Sequence, residues 1–67
     1  MEVTIETIYG EAIIKDIMID TDGTNLEDGI EIKIDNVVIC EVIGKSANEI
    51  NNSHINILEE LIENYIY

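Results

Sequence analysis

Polar and β-branched apolar residues alternate through EVTIETIY (2–9) and AIIKDIMI (12–19), two runs separated by Tyr9-Gly10-Glu11. A period of two with β-branched enrichment predicts a β-hairpin. Placing Gly10 and Glu11 at the centre of the turn, in the type that wants glycine first, sets Glu6 opposite Lys15 as a favourable cross-strand pair. Val3, Ile5, Ala12, Ile14 and Met18 then share one face, and Ile8, Ile13, Ile17 and Ile19 the other.

The alternation resumes in IEIKI (30–34), breaks at Asp35-Asn36, and returns in VVICEVI (37–43). Asp and Asn both tolerate positive φ, so a two-residue turn is the economical connection, whereas a longer loop would push β-branched Val37 toward left-handed φ. In that register Ile30, Ile32, Ile34, Val37 and Ile39 lie on one face, and Val38, Cys40 and Val42 lie opposite with Glu31 and Lys33.

From Ser46 the period changes. Ser46-Ala47-Asn48-Glu49 fits a capping box, and Ile50, His54, Ile57, Leu58, Leu61, Ile62 and Tyr65 recur at helical spacing. A later start at Ser53 is the alternative, because Asn51 and Asn52 are poor interior helix residues. Tyr65 is expected to pack the helix end and His54 to sit at the core edge, while the role of Tyr67 stays open. The chain therefore predicts an α+β fold, a single ββββα domain over 1–67. It is an antiparallel four-stranded sheet of two hairpins with one C-terminal amphipathic helix packed on one face. One helix covers one face, yet both hairpins are apolar on two, so the sheet either curls or meets another chain, which makes a homodimer one expectation.

A chain of 67 residues builds a marginal core and gains from a staple or a partner. The single cysteine, Cys40, permits no internal disulfide and reads as a buried thiol; no Cys/His spacing suggests structural zinc. The acidic start MEVTIETIYGE lacks a secretory n-region, and no run approaches the roughly 18 residues of a membrane helix, so a cytoplasmic protein is expected.

Charge alters the picture most. Fifteen acidic residues against three lysines give −12, while a mean hydropathy of +0.12 and the regular alternation argue for a folded chain rather than an acidic tail. For a sphere of the expected radius of gyration, about 11 Å, this is roughly one charge per 2.3 Å, beside about 1.7 Å in duplex DNA.

The acids are densest in IMIDTDGTNLEDGIE (17–31), which holds Asp20, Asp22, Glu27, Asp28 and Glu31. An apolar run before DTDGT resembles the first motif of haloacid-dehalogenase-type phosphotransferases, which would make Asp20 the nucleophile and Asp22 the acid/base. The later Ser/Thr, lysine and acidic pair of that family are missing. Counted as an EF-hand loop, Asp20, Asp22 and Glu31 fall at the first, third and twelfth positions, but Asn25 replaces the required glycine and Glu27 the apolar eighth residue. The plain reading is a solvated connection with Asp22-Gly23 and Asp28-Gly29 as turn dipeptides; five acids exceed what such a turn needs.

No base, nucleophile and orienting group assemble from one histidine and scattered acids, so no enzyme and no cofactor are expected. Direct nucleic-acid binding is disfavoured by charge. The expectation is a small acidic inhibitor or decoy that occupies the basic nucleic-acid-binding surface of another protein. In its physics it is similar to the small acidic proteins that phages use against restriction or CRISPR effectors. Asp20, Asp22, Glu27, Asp28, Glu31, Glu59, Glu60 and Glu63 are the expected partner contacts. A homodimeric regulatory module and a weak calcium-binding module through the 20–31 loop are the alternatives.

Overall fold

The computed structural model describes residues 1–66; Tyr67 lies outside them. Strands β1 (Glu2–Thr7), β2 (Gly10–Asp20), β3 (Leu26–Ile34) and β4 (Val37–Ile43) form one antiparallel sheet in the order β1-β2-β3-β4, and helices α1 (Ala47–Asn51) and α2 (Ile55–Ile66) follow. The class is α+β, as the alternation predicts. Both helices lie on one face, where Ala47, Ile50, Leu58 and Ile62 close over Ala12, Ile14, Ile30, Ile32, Ile34 and Cys40. The opposite face has no covering element among the described residues.

Four local features depart from the expectations. The β1–β2 turn centres on Ile8 and Tyr9 instead of Gly10 and Glu11, with Thr7 opposite Gly10. Thr7 Oγ1 accepts from Tyr9 N–H (3.1 Å) and donates to Gly10 O (2.8 Å), and Gly10 takes φ +122°. The register slips by four residues, so Glu6 faces Glu11 and Lys15 faces Glu2. A slip of four is even, so it conserves the faces.

The Asp35-Asn36 turn is as expected, both residues at positive φ (52° and 68°), with Ile34 opposite Val37. A bulge follows. Lys33 pairs Val38 but Ile32 pairs Cys40, leaving Ile39 as the extra residue. The bulge reverses β4's alternation: Cys40 and Val42 turn to the core and Glu41 to the open face, opposite to the unbulged register, in which Glu41 would have faced the core beside Ile30.

The helix is broken. Ser46 caps α1, its Oγ accepting from Glu49 N–H (3.1 Å), but the chain turns at Asn52 to His54 before α2 begins. The break resets the helical phase. Leu58 and Ile62 are buried, while His54, Ile57 and Tyr65, which continue the stripe of an unbroken helix, are exposed. His54 is therefore no core-edge residue and Tyr65 does not seal the helix end.

Beyond Asp16 and Gly29, β2 and β3 continue as a two-stranded ribbon through the pairs Met18–Asp28, Ile19–Glu27 and Asp20–Leu26. Asp28-Gly29 is strand, not turn. A Cβ on Gly29 would lie 2.5 Å from Ile19 Cδ1 and 2.6 Å from the Val42 carbonyl oxygen, so close approach, not a turn, requires glycine there.

Candidate partner-binding surface

The expected contact residues separate in space. At the ribbon tip, Asp20 Oδ1 accepts from Gly23 N–H (2.7 Å). Asp22 is the hub of the tip: Oδ1 accepts from Thr24 N–H (3.0 Å), Thr24 Oγ1 (3.0 Å) and Asn25 N–H (2.8 Å), and Oδ2 accepts from Asn25 Nδ2 (2.8 Å). These donors, led by the Thr24 and Asn25 backbone N–H groups, hold the Asp22 carboxyl down at about 2. Asp28 pairs Met18 on the helix side, whereas Glu27 and Glu31 lie on the open face. Glu59 belongs to the other end of β2, where its Oε2 accepts from Ile8 N–H (2.8 Å) and ties α2 to the β1–β2 turn. Glu60 and Glu63 are exposed on α2.

This placement works against both sharp readings of the loop. Asp22 spends its oxygens on its own loop, and Asp20 and Glu31 project to opposite faces. Among the described residues no three His, Cys, Asp or Glu side chains converge on a metal position. The lysines of the chain stand on the open face (Lys15, Lys33) or after β4 (Lys45), none of them in the tip.

Asp16 went unnoticed in the sequence. From the core-side face of β2 its Oδ1 accepts from Ala47 N–H (2.8 Å) at the start of α1, and its Oδ2 lies 3.2 Å from the Met1 amino group. The Ala47 hydrogen bond, then the amino group, lower its pKa. Asp16 also lines a cleft of about 310 Å³ with Ile17, Asp28, Gly29, Lys45 and Ser46. Three polar side chains of that cleft are engaged: Asp16 as above, Ser46 in capping α1, and Lys45, whose Nζ lies 3.6 Å from Glu49.

The open face holds the pattern that sequence reasoning missed. Correct register sets Glu6 opposite Glu11 and Glu31 opposite Glu41, both pairs on that face. Directly opposed residues have Cβ atoms about 5 Å apart, and like charges so placed destabilise a sheet. Lys15 stands between Glu2 and Glu31 by register, and Lys33 Nζ lies 3.6 Å from Glu31. Glu6 and Glu11 have no lysine in their row. Period-two alternation was the available signal, but only with the turn and bulge known does it align these acids.

No protein-family model, curated protein or solved structure matches this chain. Its candidate function rests on geometry alone.

Proposed function

We propose that this chain is a non-enzymatic acidic binding protein that occupies the basic, nucleic-acid-binding surface of another protein, in the manner of phage inhibitors of restriction or CRISPR effectors. The opposed pairs Glu6/Glu11 and Glu31/Glu41 carry this reading. Their repulsion, offset by Lys33 only at Glu31, costs the free fold stability, and cations delivered by a partner would convert it into attraction. The acidity is also largely unrelieved from within, with three lysines against fifteen acids. Catalysis finds little support: burial pushes the Cys40 thiol up to about 11, far from a reactive thiolate, and His54 is exposed at the head of α2.

Binding to a panel of nucleases, measured with and without competing DNA and across ionic strength, tests this. Competition by DNA and loss of affinity in salt are expected; binding indifferent to both overturns the reading. A second reading, a homodimer through the open face, draws on half-exposed Val38 (48%) and Ile43 (49%). Sedimentation at micromolar concentration separates the two, since a monomer removes the homodimer.

A further inference from the structure

We infer that the open face of the sheet, rather than the ribbon tip around Asp22 or the α2 carboxylates, is the surface that meets the cationic protein partner. This assignment rests on the functional reading above.

The face is banded. Glu6 and Glu11 form one row; Ile13 and Val38 lie in the next, beside Thr4 and Lys33; Glu31 and Glu41, with Glu2 and Lys15, form the third. Ile17 and Ile43 then flank Gly29, over which Ile19 lies. Rows on one face are two residues apart, about 6.7 Å, so the acidic rows stand roughly 13 Å apart, with Ile13 and Val38 between them and Lys33 and Thr4 in the same intervening row. Ile13 and Ile17 are partly buried and Val38 and Ile43 half-exposed, with no helix over them among the described residues.

That chemistry selects its occupant. A guanidinium is planar and weakly hydrated and pairs a carboxylate through two N–H groups, while the methylene stem of arginine lies along apolar surface with its charged head free. An arginine-rich protein surface whose side chains straddle an apolar ridge satisfies both kinds of band at once. A second copy of this chain does not. Face to face, it would oppose further glutamates to glutamates, with only Lys15 and Lys33 on each face to offset them. The tip is a poorer candidate because Asp22 is already saturated by its own loop, and the α2 acids because Glu59 holds the Ile8 amide.

Nona-arginine serves as probe, titrated by calorimetry at low and at physiological salt into the parent and two variants of equal charge. The open-face variant E6Q/E11Q/E31Q/E41Q is expected to weaken binding by roughly ten-fold or more, and D20N/E49Q/E60Q/E63Q, which spans the tip and the helices, only by the roughly two- to three-fold of general screening. The E6Q/E11Q pair alone, which removes a like-charge pair with no lysine in its row and leaves the Lys33–Glu31 contact intact, should melt no lower than the parent and still weaken binding, so the loss is not loss of fold. Amide shifts in the parent should concentrate around Glu6, Glu11, Glu31 and Glu41 and spare the tip from Asp20 to Asn25. Equal weakening by both variants, or shifts concentrated on α2 or on the tip, overturns the assignment and leaves the functional reading standing. A parent that ignores the peptide even at low salt overturns both.

Discussion

Glycine and aspartate at particular positions carry more of this fold than their frequency suggests. Gly29→Ala would drive a methyl into Ile19 and the Val42 carbonyl; the backbone atom cannot yield as a side chain could. A loss of about 1–3 kcal/mol is expected in urea unfolding. Asp22→Ala removes an acceptor for four donors and should speed amide exchange at Thr24 and Asn25. Its pH signature follows from the depressed pKa: the folded value, about 2, lies below the unfolded one, so the contribution is complete above about pH 4 and is lost as pH falls through 2. The difference in urea midpoint between Asp22→Ala and the parent should be constant above pH 4 and vanish toward pH 2. Residue identity alone read the Asp35-Asn36 turn correctly, because two residues that tolerate positive φ stood together. It misread Gly10 and Gly29, because a glycine looks the same in sequence whether it serves a turn centre, the residue after it, or a close approach.

Among the elements, strand existence and β1–β2 face composition were legible from alternation, which an even register slip leaves intact. The bulge was not, since its cause is tertiary: Ile39 is inserted so that Cys40 and Val42, rather than Glu41, reach the core. Deleting Ile39 should therefore preserve the register, with Cys40 still unreactive to a thiol reagent, at about 1–2 kcal/mol for the lost half-buried isoleucine. A reactive Cys40 in the folded deletion would refute this account of the bulge. The helix break was half legible in Asn51-Asn52; its effect, rotating His54, Ile57 and Tyr65 outward, depends on the phase at which α2 restarts. Ser46→Ala should cost about 1 kcal/mol in thermal or urea unfolding, because Ser46 caps the first turn of α1.

The molecule as a whole is elongated, 36 × 24 × 19 Å with a radius of gyration of 11.5 Å. Spread along its longest axis, twelve net charges give roughly one per 3 Å, more dilute than the spherical expectation and than the about 1.7 Å of duplex DNA. The anionic character was plain from composition, whereas the like-charge pairs Glu6/Glu11 and Glu31/Glu41 were hidden behind the β1–β2 register and the bulge. Self-repulsion of this size predicts that added salt stabilises the free protein. The melting midpoint should climb from about 20 mM to 500 mM sodium chloride, where the Debye length has fallen below about 8 Å; a falling midpoint would show that internal ion pairs dominate.

The two-stranded ribbon has a colloidal consequence. Past Asp16 and Gly29 its outer backbone edges have no neighbouring strand among the described residues, and Met18 (55% exposed) and Leu26 (62%) stand beside them. Bare edges of this kind template sheet growth between molecules, and charged side chains are the usual guard. Asp20, Glu27 and Asp28 lie on that ribbon, so a D20N/E27Q/D28N variant should fold and yet scatter light increasingly with concentration and time, growing fibres where the parent stays clear. The acids that first drew notice as a candidate binding loop then act as the guard that keeps one molecule's strands from seeding the next.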